Sequence, residues 1–401
     1  MASITPSGKT PEQEQEPNPE PGRFAYATLI TRASYLAGVI ILARTLRQHN
    51  SQYPLIVLYT PDLAPHALRA LQLEASRSNT NIILQPCAYL LPPGDLKPQL
   101  IAERFEDTWT KLRVFELHDV PGLGHKLNAV CYLDADMAIF QNLDIIFTQP
   151  AAAAELPPGG LAANHSCVCN RDGDPWAPSD WRRENCAYTP VSHPEALITP
   201  TQPLPGGPAT HHQLNGGMFV FHPSAQLWED MMAFFSSSAP LLATFKFPDQ
   251  DFLARFFRER WRALGWRFNA LKTMRYWHEN LWRDDEVVCL HYIVDKPWTR
   301  RVGADGVAGY KGRDGVTHRW WWEAYEVWER ERSADGEGGR EIVRLVRMGV
   351  AAPLDAPDGW GEGGLDPGLA AIGGAVQAFA NNSVTDETDI PAKAINPQAR
   401  T

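Results

Sequence analysis

Between Phe24 and Leu133, short apolar runs rich in β-formers alternate with helix-like stretches, and this alternation restricts the fold more than any other feature. Phe24–Ile30 reads as a strand. Residues 34–49 follow as an amphipathic helix with Tyr35, Leu36, Val39, Ile40, Leu42, Ala43 and Leu46 on its apolar positions. Residues 54–60 form a second strand, 65–76 a helix, 81–85 a strand and 108–115 a helix, before the strand Ala129–Leu133. Strand and helix in turn imply βαβ units, so the predicted class is α/β: a single, mostly parallel, Rossmann-like sheet flanked by helices. The glycine fingerprints of dinucleotide-binding and P-loop folds are missing from the strand-to-helix turns.

The last of these strands ends in Asp134-Ala135-Asp136. Open α/β sheets bind ligands at the carboxyl ends of their strands, so this is where chemistry is expected. Carboxylates at i and i+2 on a strand-to-loop junction can reach a hard divalent cation and orient a ribose or a metal-bound water. The plain alternative is a polar turn. His291 follows a second apolar run, Val287-Val288-Cys289-Leu290, and Lys296 lies five positions on. Asn215-Gly216-Gly217 precedes the strand-like Met218-Phe219-Val220-Phe221, where glycines allow close backbone approach to a sugar or simply make a turn. Asp249 and Gln250 open a helix, where an acidic residue is also a natural cap. Lys111 lies on the 108–115 helix and reaches toward a ligand or into solvent.

Composition bounds the rest. With 401 residues, 44% of them apolar, and 14 Trp, the chain can bury a large core. A formal charge of −10 argues against a nucleic-acid binder, which needs clustered Lys and Arg. No apolar run approaches the length of a membrane span, and the first 23 residues lack a signal-peptide core, so a cytoplasmic protein without a transmembrane segment is expected. Residues 1–23 and 331–401 are expected as largely disordered tails around a domain spanning 24–330. Within it, 150–207 is a Pro- and Cys-rich insert, too long for an ordinary connection. Its Cys167, Cys169 and Cys186, with His193, are the zinc candidates, but Cys-x-Cys lacks the usual spacer and no second pair follows at finger spacing, so an ordered loop with inert or oxidised thiols is expected. The aromatic cluster Trp320-Trp321-Trp322, with Tyr325 and Trp328, is expected to pack a closing helix onto the sheet domain rather than to form a sugar platform.

The segments ATLITRASYLAGVIILARTL, WTKLRVFEL, YLDADMAIFQNLDIIF, LNGGMFVFHPS, PDQDFLARFF, RFNALKTM and LHYIVDKPW, in this order over residues 24–298, resemble the family 8 glycosyltransferases. This is the retaining, metal-dependent family of GT-A fold that contains glycogenin and plant galactinol synthases. The Cys-containing insert before the NGG segment is closer to galactinol synthases and their fungal relatives.

The resemblance implies a UDP-sugar donor, carrying galactose, glucose or N-acetylglucosamine, and a hydroxyl acceptor on a small polyol, sugar or glycan. It implies Mn²⁺, with Mg²⁺ as the second choice, held by Asp134, Asp136 and His291; an O,O,N set suits Mn²⁺. Leu29, Thr31 and Tyr35, with Thr28 on the same strand, would line the base and ribose, Asp134-Ala135-Asp136 and Asn215-Gly216-Gly217 the rest of the donor, and Lys296 the diphosphate. Asp249, Gln250 and Lys111 would act at the transferred hexose. A homodimer is a family-level option. Two departures stand out: Arg32 replaces an asparagine common in the family, and the His291–Lys296 spacing is one residue shorter and lacks glycine. The competing reading is a catalytically degenerate member that binds nucleotide sugar or glycan.

Overall fold

A computed structural model of the chain describes residues 23–77, 80–93, 103–121, 123–148, 156–175 and 177–353. The strands are β1 (Phe24–Ile30), β2 (Leu55–Tyr59), β3 (Ile82–Pro86), β4 (Ala129–Leu133), β5 (Met137–Ile139), β6 (Leu161–His165), β7 (Leu214–Phe221), β8 (Trp261–Ala263), β9 (Ala270–Leu271) and β10 (Cys289–His291). The helices are α1 (Leu36–Gln48), α2 (Pro65–Ala75), α3 (Ala225–Ser237), α4 (Ala239–Leu242), α5 (Pro248–Phe256), α6 (Met274–Trp277), α7 (Gly315–Ala334) and α8 (Gly336–Arg347).

Seven strands form one sheet in the order β3-β2-β1-β4-β7-β6-β8. β1, β2, β3 and β4 run parallel; β7 is antiparallel to both β4 and β6, and β8 returns parallel to β6. Alternating side chains of β1 feed two separate cores: Tyr26 and Ile30 point to one, Ala25 and Ala27 to the other. Both faces are therefore covered, as a central parallel strand requires. α1 is buried on every side from Leu36 to Leu46, the pattern of a helix enclosed by its neighbours.

β5, β9 and β10 make a second, three-stranded sheet not anticipated in the sequence. Its strands are two or three residues long, too short for a periodicity signal. It has a decisive effect: the chain leaves β4 through Asp134-Ala135-Asp136 and enters β5 directly, and β10 pairs antiparallel with β5 in the register His291↔Met137. Tyr292 N donates to the Asp136 carbonyl at 3.0 Å, so the two sheets meet at the acidic triplet.

Three expectations need correction. The stretch expected as a helix over 108–115 is a run of 3₁₀ turns, Glu103–Glu116. The insert expected over 150–207 contains β6, a fully buried strand of the main sheet, and its irregular excursion begins only after His165. β6 was obscured because its LAANH sequence offers an apolar run of only three residues. The packed domain also continues past residue 330: α8 buries Ile342, Val343, Leu345 and Val346, and its GEGGREIVRLVR sequence hides this face behind glycines and charges. Residues 1–22 and 354–401 of the expected tails lie outside the described residues. Among those described, no helix is long and apolar enough to cross a membrane. α7 packs the aromatic cluster inward: Trp321, Trp322, Tyr325 and Trp328 are buried, and the Arg301 guanidinium lies 3.6 Å from the Trp322 ring centroid.

The C-terminal helices are also tied in by charge. Arg332 of α7 grips Glu74 of α2 with Nε–Oε2 at 2.9 Å and Nη2–Oε1 at 2.5 Å, both side chains being at most 5% exposed. Removing one partner of such a buried pair strands the other charge and costs about 3–5 kcal/mol. Arg332→Met should therefore lower the free energy of chemical unfolding by about that amount, whereas Arg69→Met, which removes a half-exposed partner of Glu341, should cost at most about 1 kcal/mol.

Candidate active site

The C-terminal edge of β4 gathers nearly all the candidate residues. Asp134, Asp136 and His291 place their ligand atoms within 4.8 Å of one another. His291 Nε2 lies 3.3 Å from Asp136 Oδ1 and 3.8 Å from Asp134 Oδ2.

The orientation of this imidazole is fixed by a chain of amides. Gly217 N–H donates to Asn215 Oδ1 at 3.0 Å, and Asn269 Nδ2 donates to the same oxygen at 2.9 Å. Asn269 therefore presents its Oδ1 to His291 Nδ1, 2.9 Å away, which makes Nδ1 the protonated nitrogen. The Nε2 lone pair then faces two carboxylates, an arrangement of acceptors only that suits a shared cation. The residues present fit a divalent metal of the kind that O,O,N sets hold. Asn269 was not singled out in the sequence; its only signal is its place in RFNALKTM, directly before β9.

Two ammonium groups keep the carboxylates tolerable in this interior. Lys296 Nζ contacts Asp136 Oδ2, donates to the Tyr292 carbonyl at 3.0 Å and sits 5.9 Å from the Tyr35 ring centroid. Burial opposes ionisation of Asp136, but the Lys296 ammonium holds its carboxyl well below the usual carboxylate range. Lys111 Nζ contacts Asp249, lies 3.0 Å from Asp134 Oδ1 and donates to the Gly216 carbonyl at 3.2 Å. Burial works against this ammonium too, and Asp134 and Asp249 together raise its pKa above the ordinary lysine value. The expectation that Lys111 reaches toward a ligand thus resolves into a bridge between the acidic triplet and α5.

Asp249 does not cap α5. That task falls to Asp251, whose Oδ2 accepts from Lys246 N at 2.9 Å and Phe247 N at 3.0 Å. Burial pushes Asp251 up to about 6. Gln250 Oε1 accepts from Asn215 Nδ2 and from Gly216 N–H, both at 3.3 Å, which joins α5 to the start of β7.

The glycine pair is needed by the protein itself. A Cβ on Gly217 would collide with the His291 ring, 2.7 Å from its Nδ1, so the glycine lets the imidazole pack against the β7 backbone. A Cβ on Gly216 would meet Asp249 Oδ2 at 3.1 Å. Gly38 in α1 plays the same part below the triplet, where a side chain would collide with the Ala135 carbonyl and stand 2.8 Å from Trp298.

Leu29, Thr31 and Tyr35 are half-buried beside this edge, and the register Ala27↔Tyr132 puts Leu29 level with the first residue beyond β4. Thr28, by contrast, is fully buried in the sheet and cannot line a ligand. The zinc candidates also change: His193 lies 3.8 Å from Glu286, and His278 is the histidine that joins Cys167, Cys169 and Cys186.

An acidic triplet at the carboxyl edge of a mostly parallel α/β sheet, met by histidine and lysine from the far end of the domain, is the arrangement that the resemblance to GT-A glycosyltransferases leads one to expect. The model of the glycosyl transferase family 8 matches residues 205–301, which span the NGG segment, Asp249, Gln250, His291 and Lys296. Galactinol synthase 2 of Arabidopsis thaliana is 26% identical over 303 residues, 74% of this chain and 79% of that protein. Galactinol synthase 2 of Solanum lycopersicum is 26% identical over 332 residues, 82% of this chain and 86% of the relative. The chain thus matches the family 8 glycosyltransferases over residues 205–301 and is similar to galactinol synthases along about three quarters of its length. Among solved structures, the galactosyltransferase LgtC, in complex with donor and acceptor sugar analogues, aligns over 76% of this chain and 95% of its own with 15% identity and a TM-score of 0.49. The glycosyltransferase GlyE of Streptococcus pneumoniae TIGR4 aligns over 83% of this chain and 66% of its own with 16% identity and a TM-score of 0.44.

The glycine geometry gives a graded expectation. Gly217→Ala must displace His291 and should destabilise the fold by about 1–3 kcal/mol, as overpacking does. Gly216→Ala, facing contacts of 3.1–3.5 Å, should cost clearly less. Equal unfolding midpoints in urea for the two variants would contradict the packing described.

Proposed function

We propose that the protein is a retaining, metal-dependent hexosyltransferase that moves galactose or glucose from a UDP-sugar to a hydroxyl acceptor, with galactinol synthase-like chemistry, galactose onto myo-inositol, as the leading case. The observation that carries this reading is the acceptor-only cluster of Asp134, Asp136 and the His291 Nε2 lone pair, flanked by two ammonium groups. Similarity to galactinol synthases along three quarters of the chain supports the choice of donor and acceptor.

A divalent cation held by these three residues would supply Lewis-acid stabilisation to a departing diphosphate. Tyr35, half-buried beside Lys296, offers a ring face to the base, with Leu29 and Thr31 at the adjoining strand end. Lys296 can turn from Asp136 toward a phosphate oxygen, since an ammonium rotates freely among acceptors. Gln250, whose carbonyl is already engaged, presents its amide N–H groups to a hexose hydroxyl.

Asp249 is ion-paired with Lys111, so it is poorly suited to attack the anomeric carbon. This favours a same-face displacement: the bond from the anomeric carbon to UDP breaks, a bond to the acceptor oxygen forms on the same side, and the acceptor proton passes to the departing phosphate oxygen. Lys111, Asp249 and Gln250 would then hold the hexose in place rather than bond to it.

The direct test is UDP release by the purified protein with Mn²⁺ and UDP-galactose, UDP-glucose or UDP-N-acetylglucosamine, with and without myo-inositol. Metal-dependent release from a single donor, stimulated by myo-inositol, is the expected result. Absence of release from every donor, together with no thermal shift by UDP and Mn²⁺, would favour the degenerate binding protein.

Two variants sharpen the test. Asp136→Asn should abolish turnover, and because it strands the buried Lys296 ammonium it should also lower stability. Asn269→Ala leaves all three proposed metal-binding side chains in place but releases His291, and should weaken Mn²⁺ affinity by about 10–100-fold as read by calorimetry.

A further inference from the structure

Away from the active site, the excursion between β6 and β7 brings together side chains the proposed transfer does not use. Cys167 and Cys169 directly follow β6, Cys186 closes the 3₁₀ turn Arg183–Asn185, and His278 ends α6. The three sulfurs and the imidazole nitrogen lie within 4.8 Å of one another, and no disulfide joins them. His278 Nε2 stands 3.3 Å from Cys167 Sγ, 3.2 Å from Cys169 Sγ and 3.6 Å from Cys186 Sγ.

One imidazole nitrogen can donate or accept a single hydrogen bond, so it cannot serve three sulfurs. A common cation can. Around a tetrahedral zinc, with Zn–S near 2.3 Å and Zn–N near 2.0 Å, sulfur and nitrogen ligands stand about 3.6 Å apart, close to the separations seen. Cys186 and His278 are fully buried and Cys169 is nearly so. From these observations we infer that Cys167, Cys169, Cys186 and His278 form a structural Zn²⁺ site. The S₃N set is soft enough to select zinc over the hard cations that suit the acidic triplet. Four protein ligands leave no open position for catalysis.

The site explains why a long irregular stretch is held in one place. The same segments are already stitched by weaker bonds: Arg171 Nη1 donates to the Trp277 carbonyl at 3.2 Å, Asn280 Nδ2 donates to the Val191 carbonyl at 2.5 Å, and His193 N donates to the Asn280 carbonyl at 3.0 Å. Anchored there, the excursion stacks Trp181 on Phe247, 6.2 Å between centroids, beside the first turn of α5. The metal would thus hold a wall of the hexose end of the active site without touching substrate.

The cysteine pattern in the sequence is ambiguous because the fourth ligand comes from more than a hundred residues beyond Cys169, on a four-residue helix. His193, nearer in sequence, is turned toward Glu286.

Protein purified under reducing conditions, without added metal or chelator, should carry about one zinc per chain by elemental analysis. An organomercurial thiol reagent should release that zinc to a chromogenic chelator in step with modification of the cysteines. Cys169→Ser and His278→Ala should lose the zinc, and His193→Ala should keep it. Because the ligand variants can misfold, a second measurement uses the wild-type chain reconstituted with Co²⁺. Intense visible bands with thiolate-to-cobalt charge transfer support the site, since an O,O,N cluster cannot produce them. Folded wild-type protein that holds no zinc, forms a disulfide among these cysteines or lacks thiolate bands with Co²⁺ overturns it.

Discussion

The organisation of this domain turns on holding the Asp134, Asp136 and Asp249 carboxylates close together in a partly dehydrated edge of the sheet. Isolated buried charge is prohibitively costly, and paired charge is tolerable only when its remaining hydrogen-bonding capacity is also satisfied. Lys111 and Lys296 supply the pairing, one from the 3₁₀ run before β4 and the other from the turn after β10. Much of the surrounding architecture delivers those two ammonium groups and the His291 imidazole. The small second sheet carries His291 to the triplet, and Gly38, Gly216 and Gly217 leave room for the close approaches.

A hydrogen-bond relay runs across the same edge. Gly217, Asn215, Asn269 and His291 each fix the next partner's orientation, so the direction of one lone pair is settled by a backbone N–H two residues from the amide it meets. Such a relay is cooperative, and every member is constrained by the others. The geometry of this edge is therefore preorganised by the fold.

What could be read from the chain beforehand follows the range of the physical signal. β1 and β4 were legible residue for residue because an apolar strand buried on both faces leaves an uninterrupted run. The acidic triplet was legible because it ends such a run. Helix α8, by contrast, hides an apolar face behind glycines and charges, and β6 and β9 are too short or too polar to stand out, whereas β10 shows as the apolar run before His291. Asn269 and His278 were missed because their partners are remote in sequence, and no local pattern marks an amide that orients a histidine or a histidine that joins three distant thiols. The alternative that Asp249 merely caps α5 is set aside because its neighbour Asp251 performs that task.

The lysine pairs also set the electrical arithmetic of the pocket. Three carboxylates against two ammonium groups leave one net negative charge. A divalent cation entering alone would reverse the sign, and a diphosphate entering alone would deepen the negative charge; arriving together, they leave the balance unchanged. On the proposed function, each would thus be the other's counter-ion, and a site with this charge balance would admit the two as a neutral couple in preference to either singly.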